Sequence, residues 1–360
     1  MEIFKSFRKS SVFLLILSFL FAFWGCSSGG GSSSSGGGDV DATGLSYTGA
    51  TSEATVDGDN AQALTEDALS GGSTSFGGGG VAGAATSGTQ KVQKPIKLAL
   101  MMKNLVGKIR ISPPAGGGAV GAIQSMSDTI DGSGGGTADF SISVDTVTGD
   151  FTGSITFYSF SEVGVTYDGS AGFSGIAIFV GEEFQGYIDS FTFDYDSVTC
   201  TSFGTSFTID GTMAFADFYY EWPYPYVTMN MVYRDDGTGK TYRMENFVIS
   251  FDFSLLGSED DGIYYAIEGT FYHPDYGYVT LTTTQDIWQY VYDAYPSSEG
   301  ELIVTGAIGS GGGNTYARLV IGQINYNTYE IYADIDGDGF DPGTGDPDDY
   351  YSGELAWVIF

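Results

Sequence analysis

The sequence predicts an all-β protein, and three observations carry that prediction. From about Ala138 onward, apolar and polar residues alternate with a period of two. Gly is very frequent, with 55 residues, and each Gly inside a helix costs roughly 1 kcal/mol relative to Ala, so long helices are disfavoured. Tyr (25) and Phe (26), with many Thr, Ser, Ile and Val, favour strands.

The alternation is explicit. Phe140, Ile142 and Val144 alternate with Ser141, Ser143 and Asp145. Phe151, Ile155 and Phe157 alternate with Thr152, Ser154 and Thr156. The same pattern runs through Phe191–Asp196 and Phe247–Ser254. One apolar and one wet face per strand means an antiparallel sheet. About a dozen such strands form a long meander. A sheet of this length must curl or split to bury its apolar face. The expected architecture is a curved sheet or open barrel with one short N-terminal amphipathic helix; a two-sheet sandwich is the alternative.

A loose internal repeat marks the strands. Val165–Phe173 (VTYDGSAGF) resembles Phe207–Phe215 (FTIDGTMAF), and Tyr265–Phe271 (YAIEGTF) is a weaker third copy. The copies are unevenly spaced, so they read as hairpins of one meander and not as a solenoid.

Upstream of the sheet, residues 46–136 are Gly/Ser/Thr-rich with two helical signals. Residues 60–69 form one, followed by Gly71-Gly72. Residues 95–111 form the other: Leu98, Met101, Met102, Leu105, Val106 and Ile109 recur at helical spacing between Pro95 and Pro113-Pro114. Such a helix is expected to pack on the sheet; with Lys97, Lys103 and Lys108 between the apolar positions, a basic amphipathic helix on a membrane surface is the other reading. The antiparallel β domain is placed at 137–360.

At the N-terminus Lys5, Arg8 and Lys9 precede the apolar run Ser11–Trp24, then Gly25-Cys26. The run is shorter than the roughly 20 apolar residues a membrane-spanning helix needs. It resembles the lipobox of bacterial lipoproteins, which implies a signal peptide over 1–25 and a lipid on Cys26. Residues 27–38 are only Ser and Gly, a flexible tether within 26–45. Ser27, rather than Asp, follows the Cys; by analogy with lipoprotein sorting this favours the outer membrane. With Cys26 lipidated, Cys200 is expected to be unpaired.

The formal charge is -32, from 13 Lys+Arg and 45 Asp+Glu. Such a chain repels phosphate backbones, so nucleic acid is excluded as an electrostatic partner. The same charge attracts divalent cations.

Several motifs in order, Tyr47-Thr-Gly49, Gly277–Thr284, Gly300–Gly306, Asn314–Leu319 and Asp334–Gly339, resemble a group of predicted lipoproteins from deltaproteobacteria of the Geobacter type. That resemblance spans most of residues 46–360. It implies secretion and β structure, and no catalytic residues.

The best candidate chemistry is a calcium loop. Asp334, Asp336 and Asp338 occupy positions 1, 3 and 5, with Gly339 at 6 and the Phe340 carbonyl at 7. A hard cation needs several oxygens, and Gly permits the turn. Asp341 adds a further carboxylate. Position 12 is Gly345; Asp346, Asp348, Asp349 or Glu354 is left to replace the usual Glu.

Gly237–Thr241 has the look of a phosphate loop, but strand-like flanks and no helix make it a hairpin turn. His273 is the only histidine and lies in no recognised catalytic motif. Tyr219, Tyr220, Trp222, Tyr224 and Tyr226 form the densest aromatic segment, a contact candidate interrupted by prolines.

The expected role is therefore non-enzymatic, binding or structural, at the outer membrane through a lipid on Cys26, with calcium as the candidate cofactor. Two other readings stand beside it. One is a carrier or sensor of lipids or apolar ligands, with a cavity inside the curved sheet. The other is a glycan-binding or glycan-acting module. An envelope protein is a further candidate partner.

Overall fold

The computed structural model describes residues 44–72, 123–132, 134–145, 147–162, 165–180, 183–202, 205–216, 226–252, 262–290, 299–322, 328–340 and 349–356. Cys26, the segment 95–111, residues 219–225 and Asp341 lie outside them. The described residues make fifteen antiparallel strands in meander order, not closed into a barrel, and one short helix. The chain divides into two compact units. Within each unit the strands form one sheet, so the sandwich alternative does not describe either.

The first unit holds residues 44–46 and seven strands in chain order. They are β1 Ile123–Asp131, β2 Gly135–Asp145, β3 Asp150–Glu162, β4 Val165–Val180, β5 Glu183–Ser202, β6 Thr205–Ala216 and β7 Tyr226–Asp235. The sheet thus begins earlier than residue 137. Its inner face is aromatic. Phe173, Phe193, Met213 and Met229 are consecutive cross-strand partners, each at most 4% exposed. Phe191 meets Phe193 at 5.1 Å, and Phe193 stacks on Tyr195 at 5.2 Å. Full burial of each such ring contributes roughly 1.5–3 kcal/mol.

The opposite face carries small polar residues in registered rows. Ser127, Ser141, Ser154, Gly172, Asp194, Thr212 and Asn230 are Cα partners across all seven strands. Ser125, Ser143, Thr152, Ser174, Thr192, Ala214 and Thr228 form a second row. Period-two alternation places both rows on the water side.

The internal repeat turns out to be a bulge device. Ser159 and Ser197 have left-handed backbones (φ 48° and 50°) where β3 and β5 each insert an extra residue. The acids of the repeat, Asp168 and Asp210, lie opposite these bulges. Ser159 Oγ donates to Asp168 at 2.9 Å; the Ser197 amide and hydroxyl donate to Asp210 at 3.1 and 2.9 Å. The Leu45 amide also donates to Asp210, at 3.2 Å. The glycine after the acid is required: Gly211 has φ 113°, and a Cβ there would lie 2.4 Å from the Asn230 carbonyl. Bulges of this kind bend the strand and increase its twist.

The second unit holds residues 47–72 and the remaining strands. These are β8 Thr241–Asp252, β9 Gly262–His273, β10 Gly277–Gln285, β11 Ile287–Tyr290, β12 Gly300–Ile308, β13 Asn314–Ile321, β14 Thr328–Asp334 and β15 Asp349–Ala356. The order is β8-β9-β10-β12-β13-β14-β15, with β11 folded back on β9. The third repeat copy, on β9, also meets a bulge, in a register shifted by one: Gly269 (φ 125°) lies opposite the β8 insertion at Asn246 (φ 47°), while Glu268 pairs with Val248.

Helix α1 (Ala61–Gly72) runs through Gly71 and Gly72 rather than stopping before them. Its N-terminus is capped reciprocally. Asp57 Oδ1 accepts from the Asn60 amide at 3.0 Å, and Asn60 Oδ1 accepts from the Asp57 amide at 2.9 Å. Ala61, Leu64, Thr65, Ala68 and Leu69 are fully buried, so α1 belongs to the core. Two buried acids tie it down. Glu66 accepts from Tyr329 of β14 and from Gln62 Nε2 at 2.7 Å. Asp67 meets His273 of β9. The segment before α1 is stitched to the sheet: the Ala54 amide donates to Tyr278 O at 2.8 Å, and the Ala307 amide donates to Ala54 O at 2.7 Å.

Candidate functional site

The β14–β15 connection brings three of the sequence-predicted ligands together. One carboxylate oxygen each from Asp334, Asp336 and Asp338 lies within 4.8 Å of the others. Ligand oxygens sit 2.3–2.6 Å from a bound calcium ion, so two across it are about 5 Å apart and the cluster is of the right size. Asp334 ends β14 and is 1% exposed. It accepts from the Gly337 amide at 2.6 Å and the Gly339 amide at 2.8 Å, so one side chain shapes the loop. Asp336 accepts from the Asp338 amide at 3.1 Å.

The loop rests on the β12–β13 turn, where the Gly311 amide donates to Asp336 O at 2.7 Å. Close approach explains the glycines of that turn: a Cβ on Gly309 would stand 2.0 Å from the Asp336 carbonyl. The Phe340 amide donates to Tyr316 Oη at 3.4 Å, and its ring meets Tyr332 edge-on at 5.3 Å.

Of the residues weighed for position 12, two are described. Asp349 is the cross-strand partner of Asp334, placing a fourth acid beside the cluster. Glu354 pairs with Glu330 at the other end of the hairpin, several residues away, and is out of reach. The acids leave an electrostatic mark on a neighbour. The Tyr316 phenol is pushed up, chiefly by burial and further by the charges of Asp334 and Asp349.

His273 is structural. It is 4% exposed, its Nε2 is 3.3 Å from Asp67 Oδ2, and its Nδ1 accepts from the Asp275 amide at 3.2 Å. That acceptance puts the proton on Nε2, which then donates to Asp67. Tyr276 stacks on the ring at 4.5 Å and Tyr242 meets it edge-on at 5.5 Å. The imidazole pins α1 to the β9–β10 hairpin. The sequence holds no signal for this pair, since 206 positions separate its members and neither lies in a motif.

Tyr226, the described member of the aromatic segment, opens β7 and is 39% exposed. Tyr219, Tyr220, Trp222 and Tyr224 lie outside the described residues. Gly237–Thr241 joins β7 to β8 as a turn, with the Gly237 amide donating to Asp235 at 2.9 Å.

Cys200 is fully buried on β5, in the core of the sheet and not in an exposed hairpin region. The chain's other cysteine, Cys26, lies outside the described residues.

No family model, no curated protein and no solved structure matches this chain.

Proposed function

We propose that this chain is a lipid-anchored extracytoplasmic protein with a non-enzymatic binding or structural role at the outer membrane, and that its β14–β15 loop takes calcium. The observation that carries the reading is the order of parts before the sheet. A basic start, a short apolar run, Gly25-Cys26 and a Ser/Gly tether stand ahead of a β domain, as in a protein displayed from a membrane surface. Two structural features support the non-enzymatic side. His273 spends both ring nitrogens on holding elements together. The inner face of the β1–β7 sheet is filled by its own aromatic rings, which favours display over carriage of an apolar ligand.

Cell fractionation and intact mass of the mature protein test the anchor. The expected result is an acylated chain beginning at Cys26 in the outer-membrane fraction, with Cys26→Ser released to the soluble fraction. A soluble wild-type chain without acyl mass sinks the reading. The same mass measurement decides the state of Cys200, because a thioether on the Cys26 sulfur excludes a disulfide between the two cysteines.

For the loop, extracellular calcium modules bind at about 10⁻⁴–10⁻³ M. Millimolar calcium should therefore raise the melting temperature by a few degrees, reversed by chelator. The paired change Asp336→Asn and Asp338→Asn should abolish the rise. A melting temperature indifferent to calcium removes the metal from the proposal.

A further inference from the structure

We infer that the water face of β1–β7 binds a neutral polysaccharide chain, with its primary subsite across β1, β2 and β3. The inference deepens the reading of a displayed binding domain but does not need the anchor. It starts from a shallow, open hollow of about 550 Å³. Ser127, Thr129, Asp139, Ser141, Ser154 and Thr156 line it.

The lining groups are held in place before any ligand arrives. Thr129 Oγ1 donates to Asp139 Oδ1 at 2.6 Å, which orients the carboxylate. Ser141 Oγ and Ser154 Oγ share a hydrogen bond of 3.0 Å; beside the hollow, Ser125 Oγ and Ser143 Oγ share one of 2.8 Å. Short hydroxyl side chains lose little rotamer entropy when covered, unlike Lys, Arg or Glu. Tyr158 is the next water-facing residue after Thr156 on β3 and is 52% exposed. It offers an aromatic face beside donors, acceptors and one oriented carboxylate. Sugars are recognised by that combination: hydroxyl groups pair with the Ser, Thr and Asp oxygens, and a ring face stacks on Tyr.

Extent and charge define the ligand further. The hydroxyl rows continue in register from the hollow to β7, where Tyr226 stands exposed at the end of the strand. A repeating polymer matches such a face better than a single small molecule. Neither row contains Lys, Arg or Glu, while Asp194 stands in one of them. An anionic polymer would be repelled by it. The composition is local and not a property of the chain. The β8–β15 unit carries Arg243, Glu245, Glu301 and Arg318 on partly exposed positions.

Affinity electrophoresis of the purified mature full chain tests the inference, in native gels containing hydroxyethylcellulose, dextran, xyloglucan or galactomannan, with alginate as the anionic comparison. Retardation is expected in at least one neutral gel and not in alginate. Asp139→Ala and Tyr158→Ala should each weaken it several-fold. Ser154→Lys, which plants a long charged chain in the hollow, should abolish it. Thr282→Lys on the exposed part of β10 should leave it unchanged. Circular dichroism confirms that each variant is folded, since all four positions face water. No retardation in any neutral gel overturns the inference, as does retardation that Ser154→Lys leaves intact. Retardation confined to alginate also overturns it. These results are independent of membrane fractionation, so the anchor reading and the glycan reading fail separately.

Discussion

The two units treat their solvent side differently. In β1–β7 the water face is built from Ser, Thr and Asp hydrogen-bonded to one another across strands. In β8–β15 exposed Thr residues stand beside interlocked Tyr, Arg and Glu side chains. Arg243 sits 4.7 Å over Tyr272 and 3.0 Å from Glu245. Arg318 bonds Glu301 at 2.6 Å and lies 5.9 Å from the Tyr332 ring, which stacks on Tyr351 at 4.9 Å. The inner sides differ as well. One unit buries ranks of Phe, the other a helix with two acids. Long interlocked side chains cover the β8–β15 sheet with ordered charge. A face reduced to short hydroxyls leaves the backbone open to close approach.

The largest effect that can break this comparison lies in the cores. Phe193→Ala should cost about 3–5 kcal/mol, and Leu64→Ala in α1 about 2–5 kcal/mol. Hydrogen exchange should then show β3–β7 losing protection first in the Phe193 variant, and β9 and β12–β14 first in the Leu64 variant. Identical exchange patterns in the two would mean that the units do not unfold separately.

Next in size are the repeat glycines. Gly211→Ala and Gly269→Ala each force a side chain onto a left-handed backbone within 2.4 Å of a neighbouring carbonyl. Each should cost about 1–3 kcal/mol by chemical denaturation. Similar costs at both sites would sharpen the view that one bulge device serves both sheets.

The smallest effect is electrostatic and opposite in sign between the units. Burial raises Asp210 above the ordinary carboxylate range, against the lowering by its bonds from Ser197 and Leu45. An acid raised in the folded state gives stability that is complete below its unfolded value, near pH 4, and lost as pH climbs through the folded value. Burial also raises Glu301, but its hydrogen bonds from Arg318 and Thr284 outweigh this and hold it low. Its contribution is present above about pH 4.3 and lost as pH falls through the folded value. Melting curves from pH 3 to 7 should therefore show Asp210→Asn gaining on wild type as pH rises. Glu301→Gln should fall further behind wild type over the same range. Parallel curves for the two variants would remove the contrast.

Much of the fold was legible because period-two alternation is a local signal. Phe140, Ile142 and Val144 announce an inner face wherever the strand is placed. The clustering of Asp334, Asp336 and Asp338 was legible for the same reason, since the three are near neighbours in the chain. The repeat was visible but its meaning was not. Asp210 can be assigned to a bulge only once Ser197 of another strand stands opposite it. The choice of Asp349 over Glu354 beside the cluster likewise rests on the β14–β15 register.

By itself, the sequence determined the class of fold, the antiparallel order, the acidic surface and the spacing of the metal-type acids. Each of these is written in residues within a few positions of one another. Only the tertiary structure decided that α1 is a core element pinned by Asp67 to His273. It also decided that the hydroxyls of seven separate strands fall into common rows. Both depend on which distant residues become neighbours, and pairing register sets that in a sheet, because one-residue slips exchange its two faces.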